Sequence, residues 1–140
     1  MTNSESPEKV ARLIDANLNR LKEGIRVIED INRYLYDDAS LTSQLKSLRH
    51  RLQTLYSQER LYFRDIENDV QKKSIESELK RSSIGDLVIA NFSRAQESAR
   101  VLEESFKLID PILSETAKEV RYSLYGIEKE FFLKHAAKEV

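Results

Sequence analysis

The chain has 140 residues, enough for one core, and is 40% hydrophobic and 34% charged with three glycines and two prolines, a balance that favours helices on short connections over sheets. Its 23 basic and 24 acidic side chains leave a formal charge of −1, so no net field draws it to nucleic acid or an anionic membrane, and any anion must be held by a local cluster. Zero cysteines exclude disulfides and thiolate metal sites, two histidines argue against a multi-histidine zinc site, and with no signal pattern or membrane-length apolar run the expectation is a cytoplasmic protein.

Taken in chain order, Ser6-Pro7-Glu8 reads as an N-cap and first turn. Apolar residues then recur at helical spacing from Ile14 through Leu18, Leu21, Ile25 and Ile28 to Leu35, predicting a long amphipathic helix to about Tyr36. Asp37-Asp38-Ala39-Ser40 breaks it. A second helix is predicted from about Leu41 to Tyr62 on the stripe Leu45, Leu48, Leu52, Leu55 and Tyr56. The stretch from Phe63 to Gln71 has no stripe and reads as a polar loop, followed by a short polar helix over Ile75 to Arg81. A third long helix runs from about Asp86 to Leu108 and stops before Asp110-Pro111. Ser114 is the expected cap of a fourth, through Val120, Leu124, Ile127 and Phe131. No alternating run persists, so the fold class is all-α, one domain over residues 1–140.

The chain repeats itself. Ala16-Asn17-Leu18-Asn19-Arg20-Leu21-Lys22-Glu23-Gly24-Ile25-Arg26-Val27-Ile28-Glu29 aligns with the segment Ala90 to Glu103 at a constant offset of 74, with seven of fourteen positions identical. Further on, Lys46 to Leu52 aligns with Lys118 to Leu124 at an offset of 72. Each half, about 8–62 and 86–135, is a helix pair, the segment 63–85 connects them, and duplication about a pseudo-two-fold axis is the simplest account.

On a helical wheel Asn17 falls at the centre of the apolar arc and Arg20 inside it, with Gly24 beside both, Glu23 at the edge, and Arg26 and Glu29 facing away. Asn91, Arg94, Ser98 and Glu97 repeat the pattern. Polar groups on an apolar face require partners. Two accounts stay open: Arg20–Glu23 and Arg94–Glu97 are ion pairs while the two asparagines bridge the halves, or the arginines converge on an anion with Gly24 and Ser98 leaving room for it. In the loop, Arg64, Asp65 and Asp69 combine a phosphate-binding cation with acids able to hold Mg²⁺. Arg49 and His50 on the second helix could add donors. Three glycines in all allow no phosphate-binding glycine loop or dinucleotide fingerprint.

The residues Arg12-Leu13-Ile14-Asp15-Ala16-Asn17-Leu18-Asn19-Arg20, Glu23-Gly24-Ile25-Arg26-Val27-Ile28-Glu29-Asp30, Leu48-Arg49-His50, Arg64-Asp65 with Asp69-Val70, and Arg121 to Glu128 resemble a small helical family of thiamine biosynthesis. In that family the domain stands alone as a hydroxymethylpyrimidine phosphate kinase or is fused ahead of thiamine-phosphate synthase. The resemblance implies ATP- and Mg²⁺-dependent phosphorylation of the pyrimidine monophosphate to the diphosphate, with an oligomer compatible. The resemblance supports these positions. The roles expected of them from their chemistry are phosphate clamping by Arg20, Arg94, Arg49 and Arg64, catalysis by Arg64, Asp65 and Asp69 with the two aspartates holding Mg²⁺, and substrate or nucleotide binding by Asn17, Asn91, Glu23, Glu97 and His50. One departure is Gln71, where the family commonly has glycine. The competing readings are a non-catalytic partner of the synthase and a helical scaffold.

Overall fold

A computed structural model of the protein describes residues 7–74 and 79–135. Pro7 opens α1 (Pro7–Tyr34), where its missing N–H costs nothing and its fixed φ suits the first turn. Helix α2 (Ala39–Arg51) is capped by Asp38, whose carboxylate accepts from the Leu41 N–H at 2.9 Å. Ser83 caps α3 (Ile84–Phe106) by accepting from the Asp86 N–H, and the Asp110 carboxylate accepts from the Ile112 and Leu113 N–H groups at the start of α4 (Pro111–His135). Asp38 and Asp110 occupy matching places in the two halves. Ser114, the expected cap, lies instead within α4 and donates its hydroxyl to the Glu103 carbonyl at 2.7 Å. The expected cap Ser6 and most of the expected helix over 75–81 lie outside the described residues.

The second helix is shorter than its stripe suggests. After Arg51 the backbone tightens into a 3₁₀ turn, Leu52–Leu55, extends at Tyr56 and Ser57, and forms a second 3₁₀ segment, Gln58–Phe63. Leu52 and Leu55 are three apart, so both still face the core in a 3₁₀ turn, whereas Tyr56 is exposed. The turn redirects the chain across α1. There Arg60 lays its guanidinium over the Phe106 ring and donates to the Leu55 carbonyl, and burial pulls its pKa down.

Four helices enclose the core formed by Ile14, Leu21, Ile25 and Ile28 with Leu45, Leu55, Phe92, Leu102, Phe106, Leu124 and Phe131. α1 packs on α2 and α3, and α4 packs on both of those; α1 and α4 lie diagonally, as do α2 and α3. Every neighbouring pair is antiparallel, as Glu29–Arg49, Gln96–Glu128, Gln44–Glu130 and the approach of Gly24 to Asn91 show. α2 and α3 therefore run in the same direction, which requires a long crossover between them. Within that crossover the segment Gln58–Phe63, with Arg64 and Asp65 after it, covers a face of α1 that helix packing leaves open.

The repeated glutamates do not face away. The Glu29 side chain is 4% exposed and receives Arg49 Nε at 2.7 Å and Nη2 at 3.2 Å. Its equivalent Glu103 receives Arg121 Nη2 at 2.8 Å and Nε at 2.9 Å, with Arg100 on its other oxygen. Each pair stitches the two helices of one half together, which explains why this part of the repeat survives. The glutamate holds the Arg49 pKa above its usual value by hydrogen bonding. Gly24, expected to leave room for a ligand, is buried where α1 meets α3: a Cβ there would lie 3.2 Å from the Asn91 carbonyl oxygen and 3.4 Å from the Ala95 Cβ.

Candidate functional site

Lys9, Arg12 or Leu13, Ala16, and Asn19 or Arg20 recur three and four residues apart, forming one stripe along the N-terminal half of α1. This stripe is the floor of a cavity of about 400 Å³ whose opposite wall is the crossover, with Arg64, Asp65, Ile66 and Asp69. A second cavity of about 380 Å³ lies between α1 and α3, lined by Ala90, Ser93, Arg94, Glu97, Ser98 and Val101. Asn17 and Arg20 belong to both, so the cavities adjoin at the centre of the repeated motif. The alanine of each repeat, Ala16 in one cavity and Ala90 in the other, keeps the floor low. Volumes of this size suit a small molecule.

Two contacts pin the crossover to α1. Arg64 donates through Nε and Nη2 to the two oxygens of Asp15, at 2.7 and 2.8 Å, and this hydrogen bonding raises the arginine's pKa. Arg12 donates to the Asp65 carbonyl at 3.1 Å. Asp65 in turn organises its own turn: Oδ1 accepts from the Glu67 and Asn68 N–H groups and Oδ2 from the Asn68 amide at 2.8 Å, which lowers its carboxyl pKa, the Asn68 side chain most of all. Asp69 accepts from the Gln71 N–H through Oδ1. Gln71 itself has no positive φ, so this loop requires no glycine there.

The structure brings Asn17, Arg20, Arg64, Asp65, Asp69, Arg94 and Glu97 around the two adjoining cavities, and leaves four expected residues outside them. Arg49 is committed to Glu29, and His50 is exposed on α2. Glu23 is exposed, and Asn91 is buried against its own helix. Arg20 and Arg94 are exposed at the rim and not set into the apolar face, and neither pairs with its glutamate three residues on among the described residues. Nor do the asparagines bridge the halves: Asn17 donates to the Leu13 carbonyl at 3.0 Å and Asn91 to Leu87 at 2.8 Å, each one turn back. Three residues that periodicity did not single out belong to the site: Lys9, Arg12 and Asp15. The only signal for Asp15 was its place in the motif that carries the resemblance.

The halves are unequal. Positions 74 residues after Lys9, Arg12 and Asp15 are Ser83, Asp86 and Ile89, of which Ser83 caps α3 and Asp86 lies in its first turn. The second half therefore lacks the cations and the carboxylate that build the first cavity. Among the described residues no three His, Cys, Asp or Glu side chains gather as a metal centre, and no helix is long and apolar enough to cross a membrane.

Fold and site together define an all-helical antiparallel bundle with an arginine-lined double cavity of a size that suits a small molecule. The chain belongs to the ThiD2 family, which it matches over residues 12–130. It is also similar to proteins named thiamine-phosphate synthase: 40% identical over 123 residues to that of Thermosynechococcus vestitus, covering 87% of this chain and 35% of the relative. The Synechocystis protein of that name is 37% identical over 124 residues, covering 88% of this chain and 36% of its own. A Synechococcus protein of the same name is 43% identical over 121 residues, covering 86% and 34%. The chain thus spans about a third of the length of these curated relatives. No solved structure matches it.

Proposed function

We propose that the protein is a kinase that transfers the terminal phosphoryl group of ATP to hydroxymethylpyrimidine phosphate, giving the diphosphate and ADP. The observation that carries this reading is the pair of adjoining cavities with Arg20 between them, Arg12 and Arg64 on one side and Arg94 on the other. The acceptor is already an anionic phosphate oxygen, so its attack on the terminal phosphorus needs no general base. What the reaction asks for is alignment and neutralisation of charge spread over several phosphate oxygens. Arg20, shared by both cavities, is placed to serve donor and acceptor phosphates at once. The Asn17 amide donates to Leu13, which leaves its carbonyl oxygen to accept from the pyrimidine amine.

Magnesium enters this reading as part of the nucleotide substrate. Both Asp65 oxygens already accept hydrogen bonds, and Asp69 accepts through Oδ1, so the protein offers a partial shell that phosphate oxygens and water complete.

The second reading, a helical partner module of thiamine-phosphate synthase, rests on the share of the relatives that the chain covers. Assay of the purified protein with Mg–ATP and the pyrimidine monophosphate separates the two. Turnover is expected, and Arg20→Met and Arg94→Met each reduce kcat/KM by roughly 100-fold with an unchanged melting temperature, because both side chains are exposed. Absence of turnover by wild type, together with faster synthase turnover when this protein is added, establishes the partner module instead.

A further inference from the structure

The geometry points to Asp15 as the positioning residue of the site: it holds Arg64 so that the opposite edge of the guanidinium is presented to a phosphate. This rests on the phosphate-binding reading of the cavities, though not on the kinase reaction itself.

A guanidinium carries five N–H bonds in one plane, and two parallel ones match a carboxylate. Asp15 takes that pair, Nε–H and one Nη2–H, at 2.7 and 2.8 Å. The remaining donors, on Nη1 and the other side of Nη2, lie on the edge facing away from Asp15. The carboxylate is fixed while the arginine is partly open: the Asp15 side chain is 10% exposed and that of Arg64 is 39% exposed. Asp15 is carried on rigid α1, and Arg64 on the crossover, whose next residue is held separately by Arg12 through the Asp65 carbonyl. Without Asp15, Arg64 would have a charge but no fixed plane, and planar bidentate recognition of phosphate depends on that plane. Both residues line the cavity that contains Arg12, Arg20 and Asp69. The equivalent of Asp15 in the second half is Ile89, so that position of the second half has no carboxylate to orient an arginine.

Titration calorimetry with inorganic pyrophosphate tests this on wild type, Asp15→Asn, Arg64→Met and the double variant, alongside turnover and thermal melts. Wild type is expected to bind, and each single variant to bind about 10- to 100-fold more weakly, the worth of a charge-assisted hydrogen-bond pair. Acting through Arg64, Asp15 has nothing left to do once Arg64 is gone, so the double variant binds as Arg64→Met does. Two independent losses that multiply would overturn the inference, as would wild-type affinity in Asp15→Asn or no binding by wild type. Should Asp15→Asn not fold, Arg64→Lys carries the test: it keeps the charge but not the fork, and unweakened binding refutes the proposal. Pyrophosphate binding with the expected pattern but no turnover leaves Asp15 its role and removes the kinase. Normal turnover that neither variant alters does the reverse.

Discussion

Replacing Arg49 by methionine decides whether that arginine belongs to the ligand or to the fold. In the structure its guanidinium closes a fork on Glu29, whose side chain is 4% exposed, while Arg49 itself is 19% exposed. The substitution preserves much of the stem's packing and strands a carboxylate with little access to water. Breaking a buried pair from one side costs about 3–5 kcal/mol, and partial exposure of Arg49 places this case near the lower figure. For a chain of this length that corresponds to a fall of roughly 10–15 °C in melting temperature. Urea unfolding followed by circular dichroism measures it directly, and the double variant Glu29→Gln/Arg49→Met should recover most of the loss because no charge is left unpaired. Pyrophosphate affinity should survive wherever the variant is folded. A melting temperature within 1–2 °C of wild type, combined with lost phosphate binding, would refute the assignment and return Arg49 to the site.

Gly24→Ala is expected to destabilise by about 1–3 kcal/mol despite alanine's better helix propensity, since the new Cβ meets the Asn91 backbone, which cannot move without parting α1 from α3. Gly126→Ala, whose Cβ meets nothing within 4 Å, should stabilise by roughly 0.5–1 kcal/mol in the same denaturation assay. Burial raises the Asp38 carboxyl, but the Leu41 N–H, Lys134 and His135 outweigh it and bring its pKa down to about 2. A depressed folded-state pKa means stability that is present above the ordinary value of 3.8 and lost as pH falls toward 2. Asp38→Asn should therefore lose about 2 kcal/mol near neutrality, and its stability should vary less than that of wild type over the acid range in melts across pH.

Much of the architecture was legible in the chain itself. The spacing of Ile14, Leu18, Leu21, Ile25 and Ile28 is a local property of a 3.6-residue period, and any buried helix with that stripe must turn it inward. Proline at the start of α1 acts on its own helix end, and the break before α2 falls where it was expected, whereas α4 is capped by Asp110 and not by the expected Ser114. The duplication was visible because it is a property of letters alone. The end of α2 was not legible, since Leu52 and Leu55 satisfy a helix and a 3₁₀ turn equally well and no glycine or proline marks the change.

The repeated motif shows where local reasoning stops. Periodicity placed Asn17 correctly in the buried face, but set Arg20 inside that face and Glu29 outside it, and the structure has these two the other way round. The wheel assumes one buried face. α1 has three neighbours, with α3 on one side, α2 on the next and the crossover beyond, so its covered surface is wider and turned relative to the apolar stripe. Glu29 is covered because α2 brings Arg49 to it, and Asp15 because the crossover brings Arg64 from 49 residues away. Composition, period and caps determined that this chain forms a duplicated helical bundle. Which charged residues pair with one another and which remain to meet an anion was decided only when distant segments met, because a charge is buried or exposed by its neighbours in space.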